Sequence, residues 1–190
     1  MAVVQARIAP FIRENFVITG TQYYYSGSGE PHGGLDIATY ATSLHILYSM
    51  VNGKVLSVVE NHKSYGKYII IQDLTTGDTF LYAHMARIDV FTNQLISMGD
   101  QVGIEGSTGN VTGRHVHLEL QFLNPGDSWV WGVPYNDRPN VAEYMGLTNT
   151  QGLVGYYDGT PHPIPTVIKR RGFPFVLFAK KSRQKRNIIT

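Results

Sequence analysis

The sequence predicts an all-β domain of antiparallel sheets with short helices and irregular loops. Among 190 residues, 20 glycines and 12 tyrosines favour strands and turns over long helices. Short apolar runs recur along the chain and are separated by turns rich in Gly, Asn and Asp. The composition, 43% apolar and 16% charged, is typical of a folded protein. No run approaches the roughly 18 apolar residues of a transmembrane helix, so we predict no membrane span.

The elements are predicted in chain order. Residues 1–31 are predicted to be irregular and rich in turns. The predicted strands are 44–49, 53–59, 68–73, 79–84, 101–105 and 115–122. Residues 74–78, Leu-Thr-Thr-Gly-Asp, are predicted to form a hairpin turn. The best helix candidate is 141–145, with Asn140 as its N-cap.

Charge divides the chain near residue 150. Residues 1–150 hold 8 Lys and Arg against 13 acidic residues, a net charge of −5. Residues 151–190 hold 8 Lys and Arg against one acidic residue, a net charge of +7. We therefore predict one domain over 1–150 and a basic, proline-containing C-terminal extension over 151–190.

The extension contains an apolar run, 173–178, followed by a basic cluster, 180–186. It admits three interpretations: a strand with a solvated basic end, an anchor to a partner protein, or an electrostatic contact with an anionic polymer such as teichoic acid or nucleic acid. Because no nucleic-acid-binding motif accompanies the basic residues, nucleic acid is not predicted as a partner.

The chain contains no cysteine. Disulfides and cysteine zinc fingers are therefore excluded, and any zinc must be held by histidine and carboxylate. The first seven residues show no basic region followed by an apolar stretch, so no secretion signal is predicted.

Four of the seven histidines fall in three short motifs, together with one aspartate. A catalytic zinc takes three protein ligands and keeps one position open for water. His32 and Asp36 flank Gly33-Gly34, which favours a tight bend into a strand over a helix. His115 and His117 lie two apart on a predicted strand, so both project from one face with Cα atoms about 7 Å apart.

One histidine of this pair can bind the metal while the other contacts the water. Glu119 continues the same face and can orient a histidine from behind. No His-Glu-x-x-His helix is present, so proton transfer is left to histidines: His84 and the non-ligating member of the pair. The other three histidines are interpreted as structural; they are His45, His62 and His162.

Three motifs resemble the lysostaphin/LytM-type zinc metalloendopeptidases over roughly residues 30–123. They are His32-Gly33-Gly34-Leu35-Asp36-Ile37-Ala38, Tyr82-Ala83-His84-Met85, and the stretch 99–119 that ends in Gly113-Arg114-His115-Val116-His117-Leu118-Glu119. Residues 65–71 resemble the strand that follows the family's Gly-Tyr-Gly turn, although Ser64 replaces the first glycine.

The resemblance implies a β-rich fold, one Zn²⁺ per chain, and hydrolysis of peptide bonds in bacterial peptidoglycan. It implies that His32, Asp36 and His117 bind zinc, and that His84 and His115 are catalytic. A tyrosine upstream of the first histidine often stabilises the intermediate in this family. Tyr24 and Tyr25 both remain candidates for that role.

The expected setting is a bacteriophage tail, where the enzyme would open the host wall for DNA entry. The absence of a secretion signal and the similarity of residues 133–146 to the region after the catalytic domain in phage tail enzymes motivate this expectation. The protein would then be located in the virion, or otherwise outside the cell or at its wall. The extension could contact other tail proteins. The alternatives are a bacterial autolysin or cell-division hydrolase, and a non-catalytic wall-binding or tail assembly protein.

Overall fold

A computed structural model describes residues 2–40 and 43–160. These residues form a nine-stranded sheet, a three-stranded sheet, a two-stranded ribbon, a 3₁₀ turn (Tyr135–Asp137) and one short helix, α1 (Val141–Tyr144). Their strands are β1 (Val3–Gln5), β2 (Asn15–Gly20), β3 (Tyr23–Tyr24), β4 (Pro31–His32), β5 (Leu35–Thr39), β6 (Ile46–Tyr48), β7 (Gly53–His62), β8 (Gly66–Asp73), β9 (Asp78–Met85), β10 (Arg87–Ile88), β11 (Leu95–Ile96), β12 (Gln101–Ile104), β13 (Val116–Phe122) and β14 (Val154–Tyr156). The predicted all-β fold is confirmed.

The long sheet has the strand order β1-β14-β2-β5-β13-β9-β8-β7-β11. Neighbouring strands within this sheet run antiparallel, except that β1 and β14 run parallel. β13 occupies the middle position, between β5 and β9. The three-stranded sheet has the order β10-β12-β6, and β3 pairs with β4 in the ribbon.

β13 presents different chemistry on its two faces. Val116, Leu118 and Leu120 are fully buried in the main apolar core. Because successive side chains of a strand point to opposite faces, His117 and Glu119 share the other face. Both are buried, with 6% and 2% of their surface exposed. The central strand of the long sheet therefore carries the residues of the last predicted motif.

Most predicted elements are confirmed, with differences at their ends. β7 extends to His62, three residues beyond its predicted end. The predicted hairpin turn joins β8 to β9, and the Asp73 carboxylate accepts the backbone N–H groups of Thr75 and Thr76 there. α1 begins after the predicted cap, because the Asn140 side chain accepts the backbone N–H of Glu143 at 3.0 Å.

The prediction that residues 1–31 are irregular is wrong for β2. This strand pairs with both β5 and β14 and contributes Phe16 and Ile18, which are completely buried. Asn15 and Gly20 at its ends are typical of turns, and its apolar alternation is short. Its strand conformation depends on pairing with residues far away in the sequence, which no local pattern encodes.

The predicted boundary at residue 150 stays a prediction. β14 lies just beyond it and pairs with β1 and β2 in the long sheet. Residues 161–190, with the apolar run 173–178 and the basic cluster 180–186, lie outside the described residues. In the part of the chain that the structure describes, no helix is both long and apolar enough to cross a membrane.

Candidate metal centre

Three buried side chains meet where the bend between β4 and β5 lies against the start of β13. His32 Nε2 lies 3.2 Å from Asp36 Oδ1, and His117 Nδ1 lies 2.8 Å from the same oxygen. The two histidine nitrogens are 3.1 Å apart. One ligand atom from each residue therefore occupies a corner of a small triangle, and all three residues are buried.

This triangle fits Zn²⁺. Tetrahedral zinc with bonds of about 2.0–2.1 Å holds neighbouring ligand atoms about 3.3 Å apart, close to the three observed separations. Two imidazoles and one carboxylate are also a ligand set found at catalytic zinc sites. His32, Asp36 and His117, the three residues predicted to bind metal, are therefore brought together in an arrangement suited to the ion.

Sheet pairing explains why these residues meet. His117 and Asp36 are direct partners in the register between β13 and β5. His32 ends β4, where it pairs with Tyr23 of β3, and its Nδ1–H donates to the Thr21 carbonyl at 2.8 Å. A carbonyl can only accept, so the proton of the neutral ring resides on Nδ1 and the Nε2 lone pair faces the triangle.

The double glycine between His32 and Asp36 allows β5 and the bend before it to lie close to β13. A Cβ at Gly34 would lie 2.2 Å from the Leu118 carbonyl oxygen and 2.8 Å from His117 Nε2. A Cβ at Gly33 would lie 2.6 Å from Arg138 Nη1. Neither glycine needs a positive φ; each is required for space.

The protonation states of Asp36 and His117 depend on each other. Burial alone would raise the pKa of Asp36, but its close contacts with the His117 and His32 rings hold it well below its usual value. Burial lowers the pKa of His117, and its hydrogen bonds to Asp36 and Glu119 outweigh this and raise it to about 9. In the metal-free protein a proton on His117 therefore balances the Asp36 carboxylate.

His84 lies beside the triangle at the end of β9. Its ring centroid is 4.8 Å from that of His115 and 5.8 Å from that of His117. His84 Nδ1–H donates to the Thr108 carbonyl at 2.9 Å. His84 also has a φ of 61°, and non-glycine residues in this left-handed region store strain that is common at functional sites.

Thr108 determines the position of His84 and was not identified from the sequence as a functional residue. Its hydroxyl donates to the Met85 carbonyl at 2.8 Å and accepts the backbone N–H of Lys67 at 2.9 Å. The loop 105–114 is thereby held against β8 and β9. The signal was available, because Thr108 lies inside the stretch 99–119 that carried the resemblance.

His115 completes the predicted set. Its Nδ1–H donates to the Gly113 carbonyl at 3.0 Å, and its Nε2 lies 3.6 Å from Asp36 Oδ1. Burial lowers the pKa of His115, and burial likewise lowers the pKa of His84 to about 4. Both rings are therefore neutral near pH 7, with an unprotonated Nε2 available on each.

Of the two tyrosines that the sequence left open, Tyr25 is the one that approaches the metal centre. Its ring stacks on His32, with centroids 4.0 Å apart and an angle of 19° between the planes. Burial and the neighbouring Asp36 carboxylate raise the pKa of Tyr25 to about 12, so its hydroxyl remains a donor. Tyr24 has no contact of this kind in the described chain and is 51% exposed.

Two further residues lie behind His117. The Tyr65 hydroxyl and Arg138 both contact Glu119, which in turn contacts His117 Nε2. Sequence reasoning anticipated Glu119 but neither of its partners. The remaining described histidines make other contacts: His45 pairs with Glu14, and His62 accepts the backbone N–H of Tyr65. His162 lies outside the described residues.

A β-rich fold with three convergent ligands and two neutral histidines defines a metallohydrolase-type site. Residues 30–128 match the profile of peptidase family M23. The chain belongs to this family, whose members are zinc metallopeptidases. The lysostaphin/LytM-type resemblance seen in the sequence is confirmed.

Comparisons with individual proteins agree with this assignment. The chain is 35% identical over 99 residues to peptidoglycan DD-endopeptidase ShyB of Vibrio cholerae, covering 52% of this chain and 22% of that protein. It is 37% identical over 92 residues to peptidoglycan DD-endopeptidase ShyA of the same species, covering 47% of this chain and 20% of that protein. The chain thus spans about a fifth of the length of these relatives.

A solved structure also matches. The catalytic domain of the prophage-encoded M23 protein EnpA from Enterococcus faecalis, determined as a point variant, is 28% identical with a TM-score of 0.52. The alignment covers 66% of this chain and 98% of that domain. The similarity therefore extends over nearly the whole of a catalytic domain of the family.

Proposed function

We propose that the chain is a zinc-dependent endopeptidase that hydrolyses peptide bonds in the cross-bridges or stems of bacterial peptidoglycan. The observation that carries the proposal is the ligand triangle of His32, Asp36 and His117 with two neutral histidines beside it. The names of the two Vibrio cholerae relatives support the substrate class. In this proposal His32, Asp36 and His117 hold the zinc.

Bound zinc would lower the pKa of its water from 15.7 toward about 7 and polarise the scissile carbonyl. His84 and His115 are the proposed catalytic residues, because each presents an unprotonated Nε2 and can accept a proton near neutral pH. The proton taken from the attacking water is then released to the departing amine nitrogen. Together they are proposed to act on the attacking water and on the tetrahedral intermediate.

Tyr25 is proposed to stabilise the tetrahedral intermediate. Its hydroxyl remains protonated at neutral pH and lies near Asp36, so it can donate to an oxygen that gains negative charge. Stacking on His32 fixes the ring that carries this donor. Of the two tyrosines left open by the sequence, Tyr25 is therefore our choice.

The bond that is cleaved can be identified directly. Purified sacculi of known cross-bridge types are digested with the protein, and the new amino termini are determined by mass spectrometry. New termini confined to one linkage would support the proposal and name the substrate. Sacculi that the zinc-loaded protein binds without releasing any amino terminus would favour a non-catalytic wall-binding protein instead.

A bacteriophage tail is our proposed setting, with opening of the host wall for DNA entry as the role. The prophage-encoded structural neighbour supports this setting. The Vibrio cholerae relatives support the alternative, a bacterial autolysin or cell-division hydrolase. Detection of the protein by mass spectrometry in purified virions would favour the first, and detection only in the wall fraction of uninfected cells would favour the second.

A further inference from the structure

Arg138 is a buried cation behind the metal centre, with only 8% of its surface exposed. It lies ten residues beyond the end of the family match at residue 128. Its Nε donates to the Val133 carbonyl at 3.1 Å and its Nη1 to the Gly33 carbonyl at 3.0 Å. Nη1 also lies 2.6 Å from Glu119 Oε2. The guanidinium is thus held in one orientation by two backbone carbonyls, one of them in the bend that precedes Asp36, and by Glu119.

Glu119 connects this cation to a zinc ligand. It is 2% exposed, and its Oε1 lies 3.2 Å from His117 Nε2 and accepts the Tyr65 hydroxyl at 2.8 Å. A buried carboxylate is costly unless it is paired and hydrogen-bonded. Arg138 supplies the compensating charge, and Tyr65 supplies a second donor. The Glu119 carboxylate is therefore fixed in position.

The arrangement decides which nitrogen of His117 is available to a metal. A carboxylate only accepts hydrogen bonds, so a proton resides on His117 Nε2. The second proton, which Nδ1–H shares with Asp36 in the metal-free protein, is the one that a metal would displace, and the neutral ring then has its lone pair on Nδ1. Nδ1 is the nitrogen that lies 2.8 Å from Asp36 Oδ1 and 3.1 Å from His32 Nε2. The tautomer that Glu119 selects is therefore the one that the ligand triangle needs.

We propose that Arg138 is a positioning residue for metal binding, acting through Glu119 to fix the tautomer and ring orientation of His117. The inference rests on the proposed role of His117 as a zinc ligand. Partners of this kind behind a ligating histidine contribute roughly 10–100-fold in metal affinity. Arg138 should contribute on this scale although it lies too far back in the site to contact the ion.

The test measures the zinc affinity of the metal-free protein by competition with a chelator. R138M should weaken zinc binding by about 10–100-fold, since it keeps the apolar stem and removes the charge. R138K should recover part of the loss, because it restores the charge without the planar fork. R87M is the matched control, because Arg87 forms a surface pair with Asp89, and it should bind zinc like the unmodified protein.

Stability is measured alongside, because a purely structural role would lower the melting temperature of the metal-free protein without changing the zinc affinity of the folded fraction. The visible spectrum of the Co²⁺-substituted protein should also change in R138M. If R138M does not fold, E119A carries the test, since it removes the acceptor through which Arg138 is proposed to act on His117. Unchanged zinc affinity in either folded variant overturns the inference.

The proposed function and the inference about Arg138 are contradicted by different results. An unmodified protein that binds one zinc and leaves every type of sacculus intact would overturn the peptidase proposal, while the affinity differences among the Arg138 variants would still support the inference. An unmodified protein that cleaves sacculi, with R138M binding zinc as tightly, would overturn the inference alone.

Discussion

His117 faces Asp36 directly across the pairing of β13 with β5, and its Nδ1 lies 2.8 Å from Asp36 Oδ1. The two proposed ligands are 81 positions apart in the sequence, yet their separation is set by a single pairing position in the central sheet. Strand pairing is rigid compared with loops, so the proposed ligand atoms are held in place without a metal ion.

Replacing His117 with alanine should abolish both zinc binding and activity, because one corner of the ligand triangle is removed. Metal analysis should find about one zinc per chain in the unmodified protein and none in H117A. H45A is the control, since His45 pairs with Glu14 instead, and it should retain both properties. Full activity of the unmodified protein after removal of all metal would contradict the zinc requirement.

Replacing His84 with alanine should leave zinc bound but slow turnover by about 10²–10⁴-fold, the usual contribution of a proton-transfer group. His84 hydrogen-bonds to Thr108 and not to the ligand triangle, so the metal site should persist. Parallel measurements of zinc content and kcat on sacculi separate the two effects. Loss of zinc from H84A would show that our role for this histidine is wrong.

The two neighbouring tyrosines provide a matched pair. Y25F should lower kcat by about 10²-fold, comparable to the loss of one oxyanion donor, while leaving zinc content unchanged. Y24F should behave like the unmodified protein, because Tyr24 is 51% exposed and does not stack on His32. Equal rates for Y25F and Y24F would argue against a role for the Tyr25 hydroxyl.

G34A should destabilise the protein by at least about 3 kcal/mol or prevent zinc binding, because the added Cβ meets the Leu118 carbonyl and the His117 ring. G113A is the control in another loop of the site, where a Cβ meets nothing within 4 Å. Urea denaturation of the metal-free proteins gives the stability difference. A G34A variant as stable as G113A would contradict the close approach of β5 and β13.

The metal-free protein should lose stability as the pH falls from about 6.5 to about 4. Burial lowers the pKa of His84 from its ordinary value of 6.5 to about 4, so within this window the unfolded chain binds more protons than the folded one. The pKa of His115 is lowered in the same direction. The carboxyl of Asp36, whose pKa is also lowered, titrates in a more acidic range. In H84Q the loss of stability with falling pH should be shallower. Identical pH profiles for the two proteins would show that His84 does not cause the loss.

The fold and the residues that gather at the candidate site were predictable because their signals are local. His32, Asp36, His84, His115 and His117 each lie within a short motif, and Asn140 precedes the helix that it caps. β2 was missed because its strand conformation depends on pairing with β5 and β14.

Arg138 was missed for a related reason. A lone arginine 19 positions after Glu119 has no local signature, and only the folded chain reveals that the two are paired. Thr108 differs, because it lies in a motif that was noticed for its neighbours. The sequence thus identifies the residues that would touch the metal better than those that hold them from behind.

The position of the ligands on separate strands has a mechanical consequence. A bound ion would join residues 81 positions apart in a chain that contains no cysteine. It would act as a reversible cross-link comparable to a disulfide, and its strength would depend on the concentration of free zinc. At a concentration about a thousand times the dissociation constant, the linkage would add roughly 4 kcal/mol to stability. Removal of zinc by a chelator would then lower the stability of the fold as well as abolish activity.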